Sequence, residues 1–207
     1  MKKFLTYVSM QYGNNLSKIL YIPVDMDSVV IDNPVSFPIS VLIENFLEED
    51  EEAEILCMME RDNEDVKKNY EVLKNEIEAL GKNFSKIKWT VIDAEPEENI
   101  DSQLLLFERL ISHINDEDRM YVCETFGTKP IPIVEMMALN FAYRTCKNVT
   151  IEKIVYGKIN RSAGEVKSGY LYDVTATFFM NQIVNHLSLD GATDPKTVIR
   201  RLLGLEE

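Results

Sequence analysis

Tyr121-Val122-Cys123-Glu124-Thr125-Phe126-Gly127-Thr128-Lys129-Pro130 is an apolar run that ends in a small, polar, cationic turn, and a long helical pattern follows it. A strand feeding such a turn and then a helix is the building unit of a parallel α/β sheet. Backbone N–H groups at a helix start point outward, and the helix dipole favours negative charge there. Thr125, Thr128 and Lys129 are therefore candidates to surround a phosphate without a metal.

The run itself reads as a strand over 119–123, and outward from it further strand-like runs rich in Val, Ile, Tyr and Phe recur at 4–10, 53–59, 86–92 and 150–156, with helical patterns between them. The alternation predicts an α/β fold with a mainly parallel sheet and helices on both faces. Segments 19–23 and 29–31 read as a hairpin around Asp25-Met26-Asp27-Ser28, followed by a helix over 37–47. A helix over 63–80 carries Val66, Tyr70, Leu73, Ile77 and Leu80 at helical spacing, with Gly81 as its C-cap. Leu104, Leu105, Phe107, Leu110, Ile111 and Ile114 repeat the pattern, as do Ile133, Met136, Met137, Leu139, Asn140 and Tyr143; the methionines read as core filler. After Tyr156-Gly157 the sequence predicts a Gly- and Ser-containing loop, then residues 170–175 and a helix to about Leu187. Thr193-Asp194-Pro195 caps a last short helix to Leu203. Its apolar face, Val198, Ile199, Leu202 and Leu203, reads as packing on its own domain, with docking of a partner as the other use.

Lys and Arg total 22 against 35 Asp and Glu, a net charge of −13. An acidic surface without a basic block argues against duplex nucleic acid as a partner, but a small anionic ligand needs only a few local donors. The acidic run 48–54 reads as a solvated helix end rather than a metal site, and no metal or cofactor is expected. Cys57, Cys123 and Cys146 are odd in number and far apart, so they read as buried thiols of a reducing, cytoplasmic protein. Lys2-Lys3 before 4–8 lacks the length and cleavage site of a signal peptide, and no run approaches the roughly 18 apolar residues of a membrane span.

In an open parallel sheet the ligand lies outside the carboxyl ends of the strands. Two loops qualify: the one after the first strand, with Ser9, Met10, Gln11, Tyr12, Gly13, Asn14 and Asn15, dense in hydroxyl and amide groups, and the turn Thr125, Phe126, Gly127, Thr128 and Lys129. Neither a Gly-x-Gly-x-x-Gly fingerprint nor a Walker-type Gly-Lys-Ser/Thr is present.

Three segments together resemble the CRISPR-associated Rossmann-fold (CARF) domains of type III CRISPR immunity. They are the polar loop Ser9–Asn15, the turn Glu124-Thr125-Phe126-Gly127-Thr128-Lys129, which is similar to the family's Thr-Gly-Gly-Thr-Lys turn, and Tyr156-Gly157 with the later Tyr172-Asp173-Val174-Thr175. The likeness spans residues 1–188, leaving 189–207 as a C-terminal helical extension. It implies a Rossmann-like sheet and a cytoplasmic homodimer whose loops jointly enclose a cyclic oligoadenylate messenger, for antiviral defence. Ser9, Met10, Gln11, Tyr12, Asn14 and Thr125 to Lys129 are then the ligand-binding residues. Phe126 departs from the small residue or histidine usual in the family, and Glu124 stands where a neutral residue or Asp is expected; Glu124 is expected to point away from phosphate or to bond a ribose hydroxyl. No Arg-x-x-x-x-His pair or nuclease carboxylate-Lys array follows, so a separate effector protein is a further expected partner.

The same pocket fits two activities. A sensor holds the ring intact. A metal-independent ring nuclease holds a ribose 2′-hydroxyl in line with its phosphate, giving a 2′,3′-cyclic end, with Lys129 stabilising charge and Ser9 or Gln11 orienting the ribose. His113 and His186 are not placed for acid–base work, so cleavage would be slow; Lys158 is a second cationic candidate, read as a solvated loop residue. A metabolic nucleotide-binding enzyme on the same sheet is a third reading.

Overall fold

The structure, a computed structural model, describes residues 1–11, 16–81, 85–162, 165–189 and 193–204. In chain order its elements are β1 (Lys2–Tyr7), β2 (Tyr21–Val24), α1 (Ile39–Phe46), β3 (Ala53–Met59), α2 (Glu64–Glu78), β4 (Ile87–Asp93), α3 (Ile100–Ser112), β5 (Arg119–Cys123), α4 (Pro130–Thr145), β6 (Thr150–Ser162), β7 (Glu165–Asp173), α5 (Thr175–Leu189) and α6 (Pro195–Leu202). The strands form one seven-stranded sheet in the order β2-β7-β6-β5-β1-β3-β4. Strands β6, β5, β1, β3 and β4 run parallel, β7 is antiparallel to β6, and β2 runs parallel to β7. The fold is thus α/β and Rossmann-like, as the sequence predicts.

Strand β3 is buried at every position, as a strand covered by helices on both faces must be. Alternation along β1 sends Phe4 to one core and Leu5 to the other. The Phe4 core is closed by α1 and α2 through Phe37, Leu42, Val66 and Leu73, and the Leu5 core by α3, α4 and α5 through Leu110, Leu139 and Phe178. Fully burying such a side chain contributes about 1.5–3 kcal/mol. Two buried carboxylates brace the frame. Glu76 of α2 accepts from the N–H groups of Ser36 and Phe37 and the hydroxyl of Ser40, fixing the chain as it enters α1. Glu54 pairs with the buried Lys3 and with Lys88.

Several expectations are corrected. Segments 19–23 and 29–31 do not pair as a hairpin: Tyr21–Val24 joins the sheet edge beside β7, and Ile19 bridges Val35. The expected loop after Tyr156-Gly157 is mostly strand, because β6 continues to Ser162 and pairs antiparallel with β7, with Ser162 opposite Glu165, which puts Lys158 on a strand. The acidic run 48–54 is not wholly solvated, since Glu54 lies buried within β3. Cys146 is only half-buried, while Cys57 and Cys123 are buried. The face read as core on α4 is largely the outer one: Ile133 is 63% and Met137 56% exposed, whereas Ile131, Val134, Ala138, Leu139 and Ala142 face the sheet. On α3, Leu106 and Leu110 point inward and Leu104 is exposed. Both helices carry apolar residues on nearly every side, so spacing alone does not fix which stripe the sheet covers.

Other signals hold. Asp194 caps α6 before Pro195, and the start read for α2 falls on its N-cap, where Asn63 accepts from the N–H groups of Asp65 and Val66. Gly81 takes φ +72°, in the left-handed region glycine favours, just past α2. Helix α6 sets Ile199, Leu202 and Leu203 against Met180, Ile183 and Val184 of α5. Among the described residues no helix is long and apolar enough to cross a membrane.

Candidate functional site

From β1 the sheet order proceeds through β3 and β4 to one side, then through β5 and β6 to the other. The order therefore reverses between β1 and β5, and their loops leave side by side at the carboxyl ends, where α/β sheets take ligands.

The loop after β1 is fastened from below. Ser9 is 1% exposed; its hydroxyl accepts the Gln11 N–H at 3.2 Å. The Asn69 amide of α2 donates to the carbonyls of Ser9 at 2.7 Å and Gln11 at 2.9 Å. Met10 is half-buried, and its sulfur accepts from the Tyr7 hydroxyl at 3.5 Å. Burial, helped by the charge of Glu60, pushes the Tyr7 pKa up to about 12. Tyr12 and Asn14 lie outside the described residues.

The loop after β5 is built around close approaches. The Thr125 hydroxyl accepts the Gly157 N–H of β6 at 2.8 Å and lies 3.1 Å from the Cys123 sulfur. Phe126 packs edge-on against Phe37, with ring centroids 5.5 Å apart. Gly127 has φ +103°, and a Cβ there would meet Ile131 at 3.2 Å and Tyr7 at 3.3 Å, so the turn requires glycine. Lys129 is exposed and occupies the N-cap of α4, without a side-chain cap bond.

Pro130 and Pro132 carry no N–H, and the Ile131 N–H is spent on the Thr128 carbonyl. The first three residues of α4 therefore offer no free N–H, contrary to the sequence expectation of an open helix terminus. Donors come instead from the turn itself. Among the described residues, the N–H groups of Phe126, Gly127, Thr128 and Lys129 meet no protein acceptor. With the Thr128 hydroxyl and the Lys129 ammonium they make this turn a candidate nest for an anion. On its outer side Thr128 faces a narrow cleft of about 50 Å³ walled by Glu60, Glu95, Glu97 and Glu98. Negative charge makes that side unfavourable for an anion, whereas on β6 Tyr156 and Lys158 are exposed.

Beneath the turn lie two carboxyls, Glu124, which the sequence reading singled out, and Glu135, which it missed. Glu124 lines an open groove of about 350 Å³ with Pro132, Ile133, Met136, Met137, Asn140 and Asn181. Its Oε1 is buried without a hydrogen-bond partner, and burial lifts its pKa to about 7. Glu135 is wholly buried with neither oxygen bonded, and burial, followed by the charge of Glu124, pushes it well above the usual carboxylate range. One readable signal was a lone acidic residue within the apolar run Pro130–Tyr143.

His113 caps the far end of α3, where its carbonyl accepts from Lys3, at the opposite end of β1 from the nest. Among the described residues no cluster of His, Cys, Asp and Glu suits a metal. Compared with known proteins, the chain matches no family profile and no curated protein sequence.

Proposed function

We propose that the protein is a sensor that binds a cyclic oligoadenylate between two copies of the chain, as its resemblance to the CARF domains implies. One observation supports the reading: at the sheet's switch point the N–H groups of 126–129 meet no protein acceptor among the described residues, next to the exposed Lys129 and on a turn fixed to Gly157 through the Thr125 hydroxyl. A phosphate of the ring sits in this nest, and paired nests related by a two-fold axis suit a ligand with the same symmetry. Repetition of the nest across two subunits also gives a polyanion more than one anchor on an acidic protein.

Holding is favoured over cutting by the state of Ser9. Its hydroxyl is buried and already accepts a backbone N–H, leaving it poorly placed to orient a ribose. His113 lies at the opposite end of β1 from the turn, so it gives Lys129 no acid–base partner.

The test is incubation with cyclic tri-, tetra- and hexa-adenylate in EDTA, followed by mass spectrometry of free and protein-bound nucleotide. Retention of an intact ring is expected. Linear products with 2′,3′-cyclic phosphate ends would make the protein a ring nuclease, and neither retention nor cleavage of any ring would overturn the reading.

A further inference from the structure

Strands β6, β7 and β2 place Val155, Leu171 and Tyr21 in the Phe4 core, whereas the core on the other face of the sheet ends on β6 at Ile154. Beyond that residue, alternation along the strands sends six side chains to the other face. Tyr156 is 42% and Ile22 51% exposed there; Lys158 is exposed, and Tyr170, Tyr172 and Val24 are half-buried. Pairing aligns them in two rows: Tyr156 stands opposite Tyr172, which stands beside Val24, and Lys158 stands opposite Tyr170, which stands beside Ile22. The Tyr170 and Tyr172 ring centroids are 6.3 Å apart. Neighbouring strands lie about 4.8 Å apart and same-face residues about 6.7 Å apart, so the rows span roughly 10 by 7 Å.

The outward positions of a sheet with one solvated face are ordinarily polar. Here every one but Lys158 is aromatic or aliphatic, which marks a surface that receives a partner. Its charge narrows the choice. In a chain with 35 Asp and Glu against 22 Lys and Arg, the two rows hold a lysine and no carboxylate. A second copy seated on this face by two-fold symmetry would set Lys158 against the same carboxylate-free rows. Flat phenol rings beside an ammonium suit a ligand that is both planar and anionic, the combination by which proteins hold unpaired nucleotides.

We infer that this face is a stacking platform, on which a base of the proposed ligand lies across Tyr156 and Tyr172 while Lys158 pairs with an adjoining phosphate. The inference rests on the reading of the protein as a cyclic oligoadenylate binder and adds to it the surface that holds the base. The platform adjoins the candidate nest. Gly157, between Tyr156 and Lys158, donates its N–H to the Thr125 hydroxyl at 2.8 Å. Helix α4, which begins just after Lys129, packs on the same side of the sheet as Ile154 and therefore as the tyrosines. One ligand can reach both, with a phosphate on the turn 125–129 and a base on the rings.

The experiment titrates cyclic tri-, tetra- and hexa-adenylate, each with one adenine replaced by the fluorescent base 2-aminopurine, into the wild type, Tyr156→Ala, Tyr156→Phe, Lys158→Ala and Lys129→Ala. Thermal unfolding verifies that each variant is folded, and sedimentation without ligand gives its oligomeric state. Stacking on a phenol ring quenches the probe, so the wild type is expected to quench it. Tyr156→Ala should weaken binding by about fivefold to about a hundredfold, the scale of one base stacked on an aromatic ring, and relieve the quenching. Tyr156→Phe keeps the ring and should stay within about twofold of the wild type. Lys158→Ala should weaken binding and make it less sensitive to salt. If Tyr156→Ala binds and quenches as the wild type does while Lys129→Ala weakens binding, the platform is wrong and the functional reading stands. If Tyr156→Ala instead dissociates the free protein into smaller species, the face is a subunit contact and the platform is overturned. If the wild type retains no ring, the reading fails and the platform falls with it.

Discussion

The Thr125 hydroxyl accepts the Gly157 N–H at 2.8 Å, so the turn after β5 and the strand β6 form a single braced edge. A Cβ on Gly157 would stand 2.8 Å from Pro38 Cγ and 3.1 Å from Thr125 Oγ1, which leaves the brace no room for a larger residue. Thr125→Val keeps the shape but strands the Gly157 donor and should cost about 1–3 kcal/mol of stability. Gly157→Ala should cost a similar ~1–3 kcal/mol through overpacking. Urea denaturation of both variants measures this, and wild-type midpoints would remove the brace.

Lys129 is exposed and has no protein partner among the described residues, so its removal should leave folding untouched. Lys129→Ala is expected to weaken cyclic oligoadenylate binding by one to two orders of magnitude, from ~1.5–3 kcal/mol for a charge-assisted bond. Calorimetric titration at two salt concentrations gives the affinity and its ionic component. Unchanged affinity would move the phosphate elsewhere.

Asn69 touches no proposed ligand atom, yet its amide holds the Ser9 and Gln11 carbonyls together. Asn69→Ala should therefore lower stability by about 1–3 kcal/mol and also weaken ligand binding by loosening the loop. Hydrogen exchange at residues 9–11 should quicken in the variant; unaltered exchange there would show that the loop is held by other contacts.

Stability should peak on the acid side of neutrality. Glu124 holds its proton more tightly folded than unfolded, so the native state carries the extra proton between the ordinary 4.5 and about 7, and stability falls as pH rises across that window. Glu135 shifts in the same direction, through burial and then the charge of Glu124. Glu152 is held below the usual carboxylate range by its bond from Arg119, and Asp173, with burial opposing, by bonds from Lys153 and Thr175; their contributions are lost as pH falls through their lowered values. Melting temperatures across this range should rise on acidification from pH 8 and turn down only once those carboxylates protonate.

Replacing Glu135 by the similarly sized methionine removes a buried carboxyl that has no partner. Glu135→Met should stabilise the protein by about 1–3 kcal/mol near neutral pH and flatten the acid maximum. A destabilised variant would mean that the carboxyl has a partner in solution.

Legibility in the sequence followed the strength of local constraint. Strands β3 and β5 were read to the residue, because each is a short apolar run bounded by polar residues. The cap at Asp194 was likewise visible, since a cap acts within its own turn. The edge strand Tyr21–Val24 was not, because what makes it a strand is Gly169 and its neighbours far along the chain. The outward stripe of α4 was mistaken for its core because apolar side chains surround that helix. Within the site, the turn 124–129 was legible, but the loss of helix donors to Pro130 and Pro132 and the pairing of Glu124 with Glu135 needed the packed structure.

Tyr21 pairs with Gly169, so a segment made early in synthesis finds its sheet neighbour only near the end. At typical synthesis rates this delay is on the order of ten seconds. Until then the Ile19–Val35 strap has no sheet edge to lie on, and the chain must wait with its Tyr21–Val24 segment unpaired. Gly169 makes the late closure possible, since a Cβ there would fall 2.4 Å from Ile19 Cγ2. The edge of the sheet is therefore a latch set last, and a chain halted before β7 is a precursor with an open flank rather than a smaller version of the same fold.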